Sequence, residues 1–413
     1  FNYYEGLMAA VMVKQCMTQW FRFMIGVFQG CTASTILFNV AFNPCFQHLA
    51  ELREECGYQF KSNEVKLLTT GYADDLGIAT RSTPSASATQ NNQRVVDALN
   101  VWLEWSQTMK AKPKKCVAMA LVEGQAVDPD LTIKADGKAA PMARISDCEY
   151  DGKSRDPWFK FLGRFLLECL TEEHAMEVLR EMVHKAGEKI EATALRGVQK
   201  VWIWDSYVMA TIGWLLLIHD IPPSFVAQEL QPPQIRWLKK WLGYPRTGNC
   251  TIFFRSNAHH GLQLKEMKSW HKQNRLIRRH ILASSGDTQV RAIHESVAKD
   301  QRMARTNVWK DCNELESLKQ VVLYQKIRGP LKKDGVGLGW GARVLQKRSA
   351  EKEERQAILQ VFKEIKEEER VVGVITNLQH FGEWVKWESA MQLDRRWHSL
   401  LAYESDSSIR FRM

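Results

Sequence analysis

The chain has 413 residues, of which 45% are hydrophobic, and it carries a formal net charge of +10. This length and apolar content suffice for two or three domains with real cores, and they exclude a chain that is disordered throughout. Its nine cysteines include no Cys-x-x-Cys pair, which argues against a disulfide framework or a zinc site and favours an intracellular protein with reduced thiols.

The first informative segment in chain order is 26–39, which reads Gly-Val-Phe-Gln-Gly-Cys-Thr-Ala-Ser-Thr-Ile-Leu-Phe-Asn. Its small residues allow a backbone to approach a ligand closely, as at phosphate sites. The apolar run that starts at Ile36 predicts a buried helix, with Thr32 or Ser34 as the N-cap residue.

Two adjacent carboxylates stand at the centre of the next segment. In residues 67–80, uncharged residues that suit β-strands flank Asp74 and Asp75 on both sides, which predicts a hairpin with the acids at its tip. Adjacent carboxylates repel each other, and a bound Mg²⁺ ion relieves that repulsion. The pair is typical of a two-metal phosphoryl-transfer site, and the tetrapeptide by itself fits a solvated Asp-Asp turn equally well.

Helix, turn and hairpin patterns follow. Val95, Leu99 and Trp102 have the spacing of one helical face, and the lysine-rich residues 109–116 precede an apolar strand at 117–122. Residues 123–170 contain turn residues and end in a short hairpin around 159–163. From residue 172 onward the pattern is helical, with an amphipathic helix at 172–194 and a buried one at 199–218 that ends before two prolines.

Charge is concentrated in residues 231–310, where sixteen Lys and Arg residues face only four acids. Such a stretch, interleaved with aromatic residues, fits a surface that follows a phosphate backbone. The alternative is that the aromatic residues belong to the core and the charges form a solvated helix face. The apolar residues 207–218 are too few to span a bilayer, so we expect no membrane partner. Residues 332–341 predict a glycine-rich linker, and residues 349–371 a charged helix.

The two motifs together resemble those of reverse transcriptases, in the form found in non-LTR (LINE-type) retrotransposons. Residues 26–39 are similar to the Gln-Gly motif of that family, and Tyr72-Ala73-Asp74-Asp75 is similar to its metal-binding tetrapeptide. The later segments resemble its lysine turn, its primer-grip hairpin and its thumb. An organellar intron maturase-like protein is a further alternative, and the Trp-rich thumb fits the LINE type better.

The resemblance implies an α+β fold. A partial right-hand polymerase palm with a mixed sheet and helices is expected at 1–170, including the primer-grip hairpin. An all-helical thumb is expected at 171–285, and a basic, then charged helical region at 286–413. The implied activity is RNA-directed DNA synthesis in the nucleus, from an RNA template, a DNA primer and deoxynucleotides, with Mg²⁺ or Mn²⁺.

The resemblance also implies roles for individual residues at the metal site. Asp74 and Asp75 would bind the metal, with Asp74 as the direct ligand. Lys115 would place a cation near the leaving phosphate, as a possible general acid, and Lys112 and Lys114 compete with it for that role.

Other residues are implied to contact the nucleic acid and the nucleotide. Tyr72 and Ala73 would lie under the primer end, and Gln29 and Gly30 would pack against the incoming nucleotide and the template. The primer would be seated by Phe161, Leu162 and Gly163. The cations assigned to the nucleic-acid surface are Arg236, Lys239, Lys240 and Arg246.

One element of the family pattern is missing. The family places a third carboxylate on a strand before the Gln-Gly motif, whereas Asp74 is the first aspartate of this chain and Glu5 is the only acid before residue 26. We therefore expect a fragment that lacks the fingers and the first palm motif and is inactive by itself. The alternative is a non-catalytic, nucleic-acid-binding remnant or repurposed relative.

Overall fold

The computed structural model describes residues 8–10, 12–13, 16–22, 32–60, 65–107, 109–135, 137–145, 157–167, 170–256, 261–299, 306–328 and 340–377. The chain divides into two compact units, Phe1–Tyr150 and Asp151–Met413. The expected boundaries of palm, thumb and C-terminal region remain predictions.

The first unit mixes short strands with three helices among its described residues. The helices are α1 (Thr32–Ala50), α2 (Arg53–Cys56) and α3 (Ala88–Ser106), and a 3-10 turn spans Pro113–Lys115. The strands are β1 (Met8–Ala9), β2 (Met12–Val13), β3 (Cys16–Met17), β4 (Phe21–Arg22), β5 (Tyr58–Gln59), β6 (Lys66–Leu67), β7 (Thr69–Tyr72), β8 (Asp75–Ile78), β9 (Val117–Ala118), β10 (Ala120–Val122), β11 (Gln125–Val127), β12 (Thr132–Ala135), β13 (Lys138–Pro141) and β14 (Ala143–Arg144).

The strands of the first unit pair two by two. The antiparallel pairs are β1–β4, β2–β3, β5–β6, β7–β8, β10–β11 and β12–β13, and β9 pairs with β14 in parallel. Together with the helices, they form the mixed α and β structure that the sequence predicted.

Helix α3 forms as its pattern predicts. Ser87 caps its start, accepting a hydrogen bond from the Gln90 amide while the Gln90 side chain accepts one from the Ser87 amide, which satisfies two free helix donors. Its predicted face is confirmed, because Val95, Leu99 and Trp102 are all buried. They share one core with α1.

Helix α1 is confirmed as a helix, but its predicted burial is only partly right. Phe42 and Leu49 are buried in the core shared with α3. Ile36 is 66% exposed and Val40 is 57% exposed. The apolar run extends around the helix, whereas packing against α3 covers only one side of it.

The hairpin β7–β8 lies on α1, and its predicted strand–turn–strand form is confirmed. Tyr72 pairs with Asp75 at the tip, and Thr69 pairs with Ile78 at the base. Gly71 lies directly on the ring of Phe46, because a Cβ at position 71 would be 2.3 Å from Phe46 Cζ. This close approach sets the height of the tip above α1.

The second unit begins with a hairpin of β15 (Trp158–Phe161) and β16 (Arg164–Leu167) and continues with helices. The helices are α4 (Glu173–Glu191), α5 (Gly197–Ile203), α6 (Met209–Ile218), α7 (Pro223–Phe225), α8 (Gln231–Trp241), α9 (Thr251–Phe254), α10 (Met267–Ala283), α11 (Thr288–Lys299), α12 (Asn307–Arg328) and α13 (Trp340–Asn377). Five-residue π-helical segments span Trp204–Val208 and Val226–Leu230.

Most of the predicted helices are found with small changes in their bounds. The helix expected at 172–194 is α4, and the charged helix expected at 349–371 lies inside α13. The linker expected at 332–341 lies outside the described residues except for Trp340 and Gly341, which begin α13. The first part of the helical region expected at 286–413 contains α11 and α12.

Helices α5 and α6 join through the π segment into one continuous helix, Gly197–Ile218. Within the described part of the chain, this helix alone is long and apolar enough to cross a membrane. A core helix passes the same test, and Trp204, Met209 and Leu216 are buried in the core of the second unit. Contrary to the prediction of full burial, Tyr207 and Trp214 lie on its exposed side.

Glycines of the second unit admit indole rings between helices. A Cβ at Gly187 of α4 would be 2.1 Å from Trp237 Nε1, and one at Gly213 of α6 would be 1.9 Å from Trp270 Cη2. Side chains larger than hydrogen do not fit at these positions without displacing the tryptophans. The helices therefore pack closely at the points where these tryptophans enter the core.

Replacing Gly71 with alanine should destabilise the first unit by about 1–3 kcal/mol, because the added methyl group overlaps the ring of Phe46. Chemical denaturation measures this free energy of unfolding. In a Phe46→Leu background the same replacement should cost much less, and this coupling identifies the contact. Gly286→Ala is the control, because an added Cβ there meets no atom within 4 Å. Equal costs of Gly71→Ala in both backgrounds would contradict the proposed contact.

Candidate active site and nucleic-acid interface

The two predicted metal ligands lie at the tip of β7–β8. Ala73 and Asp74 form the turn, Asp75 opens β8, and both carboxylates are exposed. Tyr72 precedes them with 69% of its surface exposed. Ala73 has a φ of 53°, in the left-handed region that glycine tolerates best, so the tip is held in a strained conformation.

The chemistry of this tip is that of two hard, negatively charged oxygen donors. No described residue forms an ion pair or hydrogen bond with the side-chain carboxylate of Asp74 or Asp75, so these oxygens are available to a cation. Among the described residues, no group of three or more His, Cys, Asp and Glu side chains could hold a metal ion. The tip therefore offers part of a metal site, with the remaining ligands to come from substrate, water or another carboxylate.

The lysine turn lies in the same unit as the tip. Pro113–Lys115 is the 3-10 turn, in which the Lys115 amide donates to the carbonyl oxygen of Lys112 at 2.8 Å. The side chains of Lys112, Lys114 and Lys115 are all exposed. All three cations are therefore accessible, and the competition among them for the role near the leaving phosphate stays open.

The remaining predicted contacts to the nucleotide fall outside the described structure. Gln29 and Gly30 precede the first described residue of α1. Their assigned role against the incoming nucleotide stays a prediction.

The predicted primer-grip segment forms the tip of hairpin β15–β16. Phe161 is half-buried, and Leu162 is 44% exposed with a φ of 48°. Gly163 has a φ of 87°, and a Cβ there would be 3.1 Å from Trp214 Nε1 and 3.5 Å from Ile218 Cδ1. The tip thus rests on the end of α6.

Behind this tip is a network that the sequence did not indicate. His219 is fully buried, and its Nδ1 lies 2.6 Å from Oε2 of Glu172. The other carboxylate oxygen, Oε1, accepts hydrogen bonds from the Asp220 amide at 3.1 Å and from Arg164 Nη2 at 2.6 Å. The Phe165 amide donates to His219 Nε2 at 3.4 Å.

The environment of Glu172 favours its ionised form. Burial raises the pKa of this carboxyl, but the hydrogen bonds from His219 and the Asp220 amide, with the charge of Arg164, lower its pKa overall. The carboxylate therefore stays charged in the folded protein and binds its donors strongly. Glu172 and His219 are 47 residues apart, so no local sequence signal links them.

The basic stretch 231–310 is partly neutralised by acids from outside it. Arg275 Nε lies 2.5 Å from Asp311 Oδ2, and both side chains are buried. Lys272 contacts Asp311 and Glu314, each at 2.6 Å. Two further arginines contact acids outside the stretch, Arg278 with Asp220 and Arg255 with Glu367. The local charge excess is therefore much smaller in space than in sequence.

The four cations assigned to nucleic acid differ in their surroundings. Lys239 Nζ donates to the carbonyl oxygens of Arg246 and Gly248 at 2.7 and 2.8 Å. Lys240 pairs with Glu191 at 2.7 Å. Arg236 and Arg246 are exposed, and their guanidinium groups are the better candidates for phosphate contacts.

The aromatic residues of 231–310 belong to the core, as the alternative interpretation of this stretch predicts. Trp241, Tyr244, Phe253 and Phe254 are buried in the core of the second unit. Trp237 and Trp270 are half-buried against glycines. These rings stabilise the fold and are not available to stack on bases.

A cavity of about 430 Å³ that is lined by several charged residues also lies in the second unit. Three ion pairs supply much of its lining: Arg370–Glu266 at 2.8 Å, Lys366–Glu369 at 2.7 Å and Lys272–Glu314 at 2.6 Å. None of the residues with a predicted role lines this cavity. The Arg370–Glu266 pair joins α13 to the residue before α10, and the Lys272–Glu314 pair joins α10 to α12.

A comparison with protein families matches residues 3–164 to the family described as reverse transcriptase (RNA-dependent DNA polymerase). The matched segment is less than half of the chain and ends in hairpin β15–β16. It contains the Asp74-Asp75 tip and the lysine turn. No curated protein matches the chain. Residues 3–164 are therefore similar to a reverse transcriptase domain, a family that implies nucleic acid and nucleotides as substrates.

Replacing Ala73 with glycine should raise the free energy of unfolding by up to about 1 kcal/mol, because glycine adopts positive φ without the cost of a Cβ. Chemical denaturation at neutral pH measures the change. Ala139→Gly is the matched control: Ala139 lies on β13 without a positive φ, so it should lose roughly 0.5–1 kcal/mol. A loss of equal size in both variants would refute the strain at the tip.

The stability of the second unit should fall as the pH drops below the ordinary pKa of Glu266. Burial raises this pKa, but hydrogen bonds from Arg370, Ser269 and Gln231 lower it below 4.5 overall. The folded protein thus binds fewer protons than the unfolded chain, and its stabilisation is complete above 4.5 and lost as the pH falls through the folded pKa.

Urea denaturation from about pH 5 downward should show this loss. Glu266→Gln should flatten the pH dependence, since the variant carries no titrating group there. The exposed Glu368→Gln on α13 is the control and should leave the slope unchanged. An unaltered slope in Glu266→Gln would show that this carboxyl does not contribute.

Proposed function

We propose that this chain takes part in RNA-directed DNA synthesis of the LINE type, with Asp74 and Asp75 binding Mg²⁺ at the 3′ end of a DNA primer. The observation that carries the proposal is the exposed carboxylate pair at a rigid hairpin tip, inside a segment that matches the reverse transcriptase family. Fold alone would not support an activity, and here the site residues and the family agree.

The tip fits a divalent cation. Carboxylate oxygens are the ligands that Mg²⁺ prefers, and no described protein group competes for them. A bound metal would supply activation of the attacking hydroxyl group and neutralisation of the leaving pyrophosphate. Asp74 is the proposed direct ligand, and Asp75 supports it.

The protein's own groups would bind and orient the substrates. The exposed ring of Tyr72 and the backbone of Ala73 would lie under the primer end. Lys115, or its neighbours Lys112 and Lys114, would bind the leaving phosphate as a cation. Leu162 and Gly163 would support the primer strand, and the exposed Arg236 and Arg246 would contact phosphates.

A second function is favoured by one observation. Among the described residues the Asp74-Asp75 pair has no third carboxylate beside it, whereas the resemblance calls for three. A nucleic-acid-binding protein without catalysis would need no metal at the tip. The two functions differ in whether binding and chemistry depend on Mg²⁺.

Metal binding distinguishes them. Mn²⁺ titration by electron paramagnetic resonance, with a recessed RNA–DNA primer–template present, should detect a site in the unaltered chain. Asp74→Asn should weaken that site by about tenfold or more, and Asp75→Asn by less. Asp97→Asn, an exposed aspartate of α3, is the control. Equal Mn²⁺ affinity in all four proteins would refute the metal site.

Primer extension then tests catalysis. We expect the 413-residue chain to bind the primer–template but not to extend it, because the third carboxylate is missing. Robust Mg²⁺-dependent extension would overturn that expectation of inactivity. Tight binding that is unchanged by EDTA and by Asp74→Asn would favour the non-catalytic function.

A further inference from the structure

The buried pair Glu172 and His219 connects the tip of hairpin β15–β16 to the end of helix α6. We propose that these two side chains are positioning residues for the primer: they fix the location of Leu162 and Gly163 by holding the His219 imidazole as its Nδ1–H tautomer. This inference rests on the proposed function, in which the hairpin tip supports the primer strand.

The proton on His219 is assigned by its neighbours. A backbone amide can only donate, so Nε2 must present its lone pair to the Phe165 N–H, 3.4 Å away. Nδ1 then carries the proton and donates it to Oε2 of Glu172 at 2.6 Å. The imidazole also stacks on the Phe165 ring, with centroids 5.4 Å apart and planes at 21°.

Glu172 binds both sides of the joint between hairpin and helix. Its Oε1 accepts from Arg164, which directly follows the tip, and from the amide of Asp220, which lies just past α6. The same end of α6 supplies Trp214 and Ile218, on which Gly163 rests. One carboxylate therefore ties the tip to the surface beneath it.

The hairpin has a second attachment to the core, apart from the Glu172–His219 pair. Leu167 is buried, and Trp158 stacks on His174 with centroids 4.7 Å apart. These contacts lie on the strands and do not involve Glu172. Weakening the pair should therefore displace the tip while the hairpin stays folded, because the apolar burial of the strands is retained.

Glu172→Gln disturbs the hydrogen bonds of this side chain with little change in its shape. If the new NH₂ group faces His219, the imidazole must accept at Nδ1 and place a proton on Nε2, opposite the Phe165 N–H. If it faces the other way, it opposes the donors of Arg164 and Asp220. Either orientation sets donor against donor. Glu177→Gln, an exposed glutamate of α4, is the matched control.

Two substitutions of His219 divide its contacts. A glutamine oxygen can replace Nε2 as the acceptor for Phe165, whereas an asparagine amide can replace only the Nδ1 donor to Glu172. Because the bond to Phe165 is the direct link between the imidazole and the hairpin, His219→Gln should retain more of the function than His219→Asn.

The experiment places a photoreactive benzoylphenylalanine at Leu162 and measures crosslinking to the 3′ nucleotide of a primer–template. At saturating duplex we expect the yield to fall about tenfold in Glu172→Gln and His219→Asn, with the duplex Kd within about twofold of the unaltered chain. Glu177→Gln should match the unaltered chain, and His219→Gln should recover most of the yield. Nitrogen-15 spectra of labelled histidine should show the His219 proton on Nδ1 in the unaltered chain.

The outcomes distinguish a failure of the positioning role from a failure of the proposed function. Crosslinking in the unaltered chain with equal yields in Glu172→Gln and His219→Asn would overturn the positioning role and leave the proposed function standing. The absence of any primer crosslink in the unaltered chain would overturn both. If a variant loses its melting transition, its crosslinking yield is set aside, and the imidazole spectrum of the unaltered chain and the yield of His219→Gln test the positioning role. A proton on Nε2 of His219 in the unaltered chain would refute the tautomer assignment.

Discussion

Close contact between a glycine and an aromatic ring positions each of the two hairpins that carry candidate site residues, β7–β8 and β15–β16. Gly71 lies on Phe46 in the first unit, and Gly163 lies on Trp214 in the second. The Gly71 contact requires a residue without a Cβ, and a Cβ at Gly163 would be 3.1 Å from Trp214 Nε1. The distance between hairpin and helix is therefore set by van der Waals contact with the ring itself. A tip that is fixed in this way can hold exposed polar or strained residues without collapsing onto the core.

The sequence predicts what depends on neighbours along the chain. Both hairpins and the buried face of α3 follow from local alternation, turn residues and helical spacing. The contacts that position the hairpins do not, because Phe46 and Gly71, or Glu172 and His219, come together only through tertiary packing. The exposed residues Ile36 and Val40 show the same limit, since hydrophobicity alone does not say which side of a helix is covered.

A count of charged residues along one stretch of the sequence is a poor guide to the charge of the folded surface. The excess of basic residues in 231–310 implies a surface that attracts phosphate, yet Arg275 and Lys272 meet Asp311 within the fold. Both partners of the Arg275–Asp311 pair are buried, and such a pair is costly to break because it leaves one charge without a counterion. Acids that lie far away along the chain therefore turn many of these cations into structural groups, and the exposed Arg236 and Arg246 carry more of the predicted interface.

The π segment Trp204–Val208 has a consequence for how this helix can change in length. It contains one residue more than an α-helical turn would hold, and it brings Trp202 and Tyr207, five positions apart, to a ring separation of 5.6 Å. Deleting a single residue there would restore α-helical winding and leave the residues that follow near their present orientation, because the π segment accommodates the extra residue within one turn. α-Helical winding of the segment with all its residues retained would instead rotate everything that follows by about 100°. Met209 and Leu216 would then leave the core and Trp214 would turn away from Gly163, so the π winding is what keeps the second half of the helix in register with the core.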